Sequence, residues 1–86
     1  MLTPEQSRAA RGWLDWTQAQ LAERARVSLS TVKGFESGER SPIVNNIEAL
    51  ERAFTNAGIM FIDADGQAPG IAFDEKAAGK PKGIKG

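Results

Sequence analysis

TQAQLAERARVSLSTVKGFESGERSP, residues 17–42, predicts two short helices separated by three residues. Thr17 with Gln20 three residues later forms a capping box, so the first of these helices should run from about 18 to 25. Ser28 is suited to cap the next helix, about 29–37, and Gly38 to end it. Val32 and Phe35 recur at helical spacing and mark the inner face of that helix.

A further helix is predicted on each side of this pair. Thr3, Pro4 and Gln6 give another capped start, for a helix over about 4–14. After the break at Ser41-Pro42 we expect Ile43 to pack inward and Asn45 to cap a fourth helix, which ends at Gly58. The apolar residues of these two helices are Ala10, Trp13, Leu14, Ile47, Leu50, Phe54 and Ala57.

Beyond Gly58 the pattern changes from helix to strand. Residues 59–62 and 70–73 predict a β-hairpin around turn residues 63–66, and the Gly-, Lys- and Pro-rich residues 75–86 predict a disordered basic tail. The sequence thus predicts a mainly α chain in three parts: helices over 1–58, a hairpin appendage over 59–74 and the tail. The formal charge is +1 over residues 1–43, −4 over 44–74 and +3 over 75–86.

Composition excludes several classes of function. The 86 residues contain no His and no Cys, the commonest zinc ligands, so we expect no metal, no cofactor and no enzyme. The polar start is unlike a signal peptide, and the longest apolar run, 59–62, is too short to cross a membrane. We expect a cytoplasmic protein without membrane contact.

The pattern of residues 17–42, with a helix on each side, resembles the lambda-repressor/Cro-like (Xre) family of small bacterial helix-turn-helix regulators. The resemblance covers about residues 3–57. It implies a four-helix Cro/repressor-like domain and a sequence-specific DNA-binding transcriptional regulator. It further implies a repressor or autoregulator that binds an inverted-repeat double-stranded DNA operator as a homodimer.

The resemblance also implies roles for individual residues. The N-terminal turn and outer face of the third helix would meet the major groove, and Gln18 would contact a phosphate. Arg8, Arg24 and Arg26 are further phosphate-contact candidates. The DNA-binding residues implied are Gln18, Ser28, Leu29, Ser30, Thr31, Lys33, Gly34 and Arg40.

Four positions have a structural meaning in the resemblance. Arg11 and Glu36 would form an ion pair that ties the first helix to the third. Asp15 and Arg26 stand where the family commonly has Gly, so each would need a left-handed backbone. Gly34 stands where a long polar side chain is common, which would weaken the third helix and remove a DNA contact.

The hairpin offers apolar side chains on both faces. One face can cover the helical core, and the other face or the strand edge requires a partner. We therefore place a dimer interface on the hairpin; the alternative is a monomeric cap on the core. The predicted dimerisation residues are Ile59, Phe61, Ile62, Ile71 and Phe73.

A second function fits the same sequence. A helix-turn-helix scaffold with weakened DNA chemistry could bind another regulator, as an antiactivator or an antitoxin does. The zero net charge, Gly34 and the acidic segment 44–74 favour this protein-interaction module.

Overall fold

The computed structural model describes residues 1–62 and 70–73 and contains four helices followed by a two-stranded antiparallel hairpin. The elements are α1 (Pro4–Leu14), α2 (Gln18–Ala25), α3 (Leu29–Ser37), α4 (Val44–Asn56), β1 (Ile59–Ile62) and β2 (Gly70–Phe73). The predicted fold class and both predicted strands are confirmed. The predicted turn at 63–66 and the predicted tail at 75–86 lie outside the described residues.

Three helices begin where their caps predict. The Oγ1 of Thr3 accepts the backbone N–H of Gln6, and the Oε1 of Gln6 accepts the N–H of Thr3, at 3.1 and 3.0 Å. Thr17 and Gln20 repeat this reciprocal pair before α2. Each box satisfies backbone donors that have no partner within the helix, so the position of each start is fixed locally.

The fourth helix begins earlier than the sequence predicts. Its N-cap is Ile43, not Asn45, and no side chain caps it. The carbonyl oxygen of Ile43 instead accepts the backbone N–H groups of Asn46 and Ile47, at 3.0 and 3.2 Å. The prediction that Ile43 packs inward is also wrong, because its side chain is 67% exposed.

Two of the helix ends require a left-handed backbone at residues other than glycine. Asp15 ends α1 and Arg26 ends α2, both with φ of 59°. This is the conformation expected at both positions. It turns the chain sharply enough that only Arg26, Val27 and Ser28 separate α2 from α3.

The core lies between the four helices and one face of the hairpin. Trp13, one of the apolar residues of α1, is 42% exposed, and its ring centre lies 5.8 Å from that of Phe73. The half-buried Trp16 instead stacks on Phe54 at 5.8 Å. The buried apolar residues are Leu2, Ala10, Leu14, Leu21, Ala22, Ala25, Val32, Phe35, Ile47, Leu50, Ala53, Phe54 and Ile59.

The hairpin has an inner and an outer face. Ile59 pairs with Phe73 and Phe61 with Ile71, and these four residues lie in the core or pack against it. Met60 alternates with them and is 50% exposed on the opposite face, as is Ile62 at 46%. Of the described residues, none belongs to a helix long and apolar enough to cross a membrane.

Candidate nucleic-acid interface

The exposed face of α3 carries polar side chains in a row. Ser30, Lys33 and Ser37 are exposed, while Val32 and Phe35 on the opposite face are buried. This division follows from the helical period, because residues three and four apart share a face. The row therefore lies on the exposed face of a helix, an element that the major groove can admit.

The hydroxyl groups at the start of α3 bond to one another. Ser28 Oγ accepts the backbone N–H of Thr31 at 3.1 Å. It also shares hydrogen bonds with Ser30 Oγ at 3.2 Å and Thr31 Oγ1 at 2.7 Å. Ser28 is thus occupied as a cap, which leaves Ser30 and the 38% exposed Leu29 as the outward side chains of this turn.

Gln18 at the start of α2 reaches the end of α3. Its Nε2 donates to Glu36 Oε1 at 3.2 Å, so the side chain is held rather than free in solvent. This contact places the first turn of α2 beside the last turn of α3. Two of the predicted DNA-binding elements are therefore joined by a hydrogen bond.

Glu36 is the acceptor at the centre of this region. Its side chain is 2% exposed, and the guanidinium of Arg11 donates to it through Nε and Nη2, the shortest contact being 2.7 Å. Ser7 Oγ donates to its Oε2 at 2.5 Å. The structure thus brings the predicted pair together and adds Ser7, which the sequence analysis missed. Ser7 stands one helical turn before Arg11 on the same face of α1, but a single sequence gives no signal for its partner 29 residues away.

The surroundings of Glu36 act on its pKa in opposite directions. Burial by itself would raise the pKa of this carboxyl, since it penalises the charged form. The hydrogen bonds from Arg11, Ser7 and Gln18 outweigh burial and hold the pKa below its ordinary value of 4.5. Glu36 is therefore ionised at neutral pH and fixes the donors around it.

Arg40 lies across the face of α3 at Gly34. Gly38, with φ of 80°, turns the chain back at the end of the helix, and the backbone N–H of Arg40 then donates to the carbonyl of Gly34 at 3.1 Å. An ideal Cβ on Gly34 would stand 3.1 Å from Cδ of Arg40 and 3.3 Å from its Cβ and Cγ. Arg40 also lines an open depression of about 240 Å³ between the starts of α3 and α4, with Thr31 and Asn46.

Of the other candidate cations, Arg26 is exposed at the end of α2, and Arg8 and Arg24 have partners within the fold. Arg8 donates to the backbone carbonyl of Glu36. The guanidinium of Arg24 lies 4.5 Å from the centre of the Trp16 ring, beside residues of α4. Lys33 and Arg40 are therefore the cations placed on the exposed face of α3 itself. Among the described residues, no group of three His, Cys, Asp or Glu could hold a metal ion.

Two capped helices with a three-residue connection, the second exposing a polar face, form a helix-turn-helix, the unit of a class of DNA-binding regulators. The helix-turn-helix family matches residues 8–55, and the chain belongs to this Xre/lambda Cro-like family. The match begins within α1, at residue 8, and covers the helix-turn-helix pair and nearly all of α4. No curated protein matches the sequence at a significant level.

Proposed function

We propose that this DNA-binding protein is a transcriptional repressor that binds an inverted-repeat operator as a homodimer. The observation that carries the proposal is the outward row on α3, with Ser30 and Lys33 free of the core and Arg40 beside them. The charge distribution supports it, because residues 1–43 have a net charge of +1 although the whole chain is neutral. Binding depends on where cations cluster rather than on the total charge.

Ser30 and Lys33 have different tasks in this proposal. Ser30 lies in the first turn of α3, the part of a recognition helix that reaches base edges, and its hydroxyl can donate or accept. Lys33 lies one turn later on the same face and can reach a phosphate. Base contacts give sequence preference and phosphate contacts give affinity for any sequence.

Two substitutions separate these tasks on an operator selected from genomic fragments. Ser30→Ala should relax the preference at one operator position by about 1–3 kcal/mol at most. Lys33→Ala should weaken binding to all duplexes alike and lower the log–log salt slope by about one. Thr55→Ala and Arg52→Ala remove a hydroxyl and a cation from exposed positions on α4 and are the matched controls. Unchanged binding in both test variants would contradict the proposed interface.

The second copy would bind along β1. Within residues 1–62 and 70–73, β2 is the only strand that pairs with β1, so no strand in this part of the chain pairs with the other edge of β1. Its outward side chains Met60 and Ile62 are each about half exposed. Antiparallel pairing of two β1 edges about a twofold axis gives the isologous contact that a symmetric dimer needs.

This proposal places the dimer interface at the edge of β1 and on the outer face beside it, where Met60 and Ile62 lie. Of the predicted dimerisation residues, Ile59 is 1% exposed and Phe61 lies against Phe54 at 5.9 Å, so these two have partners in their own chain. Ile71 and Phe73 pack against the core as well, and Ile62 alone faces outward with Met60.

A charge introduced on the outer face of the hairpin should have a different effect from one introduced on the inner face. Met60→Lys with Ile62→Lys should give a folded monomer in sedimentation and weaken operator binding. Phe61→Lys on the inner face should instead unfold the chain in circular dichroism. A wild-type chain that stays monomeric at high micromolar concentration would refute the dimer.

The protein-interaction module remains the second candidate, and one observation favours it. Trp13 is 42% exposed beside Phe73, which leaves an apolar surface on α1 and β2 away from α3. A salt titration distinguishes the two functions. A regulator shows a steep log–log dependence of DNA affinity on salt, and an adaptor binds DNA weakly at every salt concentration.

A further inference from the structure

Gly34 is the one glycine within α3, and it lies on the outward face that α3 shares with Ser30 and Lys33. A glycine here gives the helix neither a side chain for DNA nor a good propensity. The sequence alone therefore suggests a defect. The structure shows that the space over Gly34 is filled by the stem of Arg40.

We infer that Gly34 is a positioning residue whose missing side chain lets Arg40 supply a cation to the recognition face of α3. This inference rests on the proposed DNA-binding function. The ligand of the Arg40 guanidinium would be a phosphate of the duplex at the edge of the groove. α3 would thus present Ser30 and Lys33 from its own sequence and Arg40 from the following loop.

The contact distances support this dependence. Carbon atoms in ordinary contact are about 3.5–4.0 Å apart. A Cβ at position 34 would meet three carbons of Arg40 at 3.1–3.3 Å. A methyl group at position 34 would thus require the Arg40 stem to move by a few tenths of an ångström. A longer side chain would displace the Arg40 stem from the face of α3.

The backbone fixes the same arrangement independently. The backbone at residue 40 is held over residue 34 by two features that do not depend on the side chain of residue 40. One is the turn at Gly38, and the other is the hydrogen bond that the backbone N–H of Arg40 donates to the carbonyl of Gly34. Ser37 Oγ donates to the same carbonyl at 3.1 Å and accepts the N–H of Glu39 at 3.3 Å. These bonds hold the loop against the end of α3, and a side chain at position 34 would limit where the Arg40 stem can lie.

A graded series tests the inference. Gly34→Ala should lower affinity for the selected operator slightly, and Gly34→Gln should lower it about as much as Arg40→Ala, by roughly 3- to 10-fold. Each of the two larger changes should lower the salt slope by about one. Circular dichroism should show both Gly34 variants folded at the temperature of the binding assay, because the better helix propensity of Ala and Gln offsets the cost of moving the Arg40 stem. A loss of affinity would then not reflect unfolding.

A double-mutant cycle with Gly34→Gln and Arg40→Ala gives the decisive result. If Gly34 positions Arg40, the double variant binds the operator no more weakly than either single variant. If Arg40→Ala costs the same affinity with and without Gly34→Gln, the two residues act independently and the inference is overturned. Arg52→Ala, made in the wild type and in the Gly34→Gln variant, is the matched control. Its effect on operator affinity should be the same in both.

Failure of the proposed function gives a different pattern. A wild-type chain that binds neither the selected operator nor a mixed-sequence duplex at any salt concentration would refute DNA binding and the role of Arg40 together. Proton NMR of the free chain then reports on the packing alone. Nuclear Overhauser contacts between Gly34 Hα and the Arg40 methylenes are expected in the wild type, and their absence would overturn the packing on which the inference rests.

Discussion

Removal of the Glu36 side chain should strongly destabilise the helical part of the chain. Glu36→Ala leaves the Arg11 guanidinium without its carboxylate and the fully buried Ser7 hydroxyl without its acceptor. Breaking a buried ion pair costs about 3–5 kcal/mol. Because the Arg11 side chain is 19% exposed and water can partly replace its partner, we expect the lower end, about 3 kcal/mol. For a domain of this size that is a fall in melting temperature of roughly 12–24 °C.

The assay is thermal unfolding followed by circular dichroism at pH 7, with chemical denaturation to obtain the free energy. Glu48→Ala removes an exposed carboxylate from α4 and is the matched control, expected to melt within about 2 °C of the wild type. Glu36→Gln keeps the shape and some of the hydrogen bonds, so its loss should be intermediate. A Glu36→Ala protein that melts within a degree or so of the wild type would show that the contacts of Glu36 contribute little.

Three further outcomes are expected. The pKa of Glu36 is lower in the folded chain than its ordinary 4.5, so the stabilisation from the ionised carboxylate is present above that value and is lost as the pH falls below it. Between neutral and acid pH, the unfolding free energy of Glu36→Gln should therefore fall less than that of the wild type, and equal curves would contradict this. Arg26→Gly should raise the unfolding free energy by about 1 kcal/mol, because Gly adopts a φ of 59° without strain, and a lower melting temperature would refute that reasoning. Gln6 Nε2 donates to the Gly70 carbonyl at 3.0 Å, so Gln6→Ala should lower the unfolding free energy by about 1–2 kcal/mol and speed amide hydrogen exchange in β2. Unchanged exchange would show that this bond does not hold the hairpin to α1.

Features set by neighbouring residues could be predicted from the sequence. The caps at Thr3, Thr17 and Ser28 each depend on a side chain and a backbone N–H three residues away, so their chemistry is visible in the sequence itself. The strands were predicted correctly for the same reason, since a run of β-branched and aromatic residues is bounded by turn residues. The start of α4 was missed because backbone hydrogen bonds to Ile43, rather than a capping side chain, define it.

Features set by distant residues could not be predicted. Gln6 and Ser7 are polar and buried, and their partners Gly70 and Glu36 are 64 and 29 residues away along the chain. Trp16 lies between helices, so no helical period indicates that it packs on Phe54. Arg11 and Glu36 were paired through the family resemblance, because nothing in a single sequence connects residues 25 positions apart.

The burial of Ile59 has a consequence for protein engineering. Ile59 begins β1 after the two residues that follow α4, is 1% exposed and belongs to the same core as Leu50 and Phe54. A DNA-binding module excised at Gly58 for fusion to another protein would lose this side chain and expose the apolar surface beneath it to water. A transplantable unit should therefore extend through β2, or carry a substitution that gives the exposed end of α4 a polar surface.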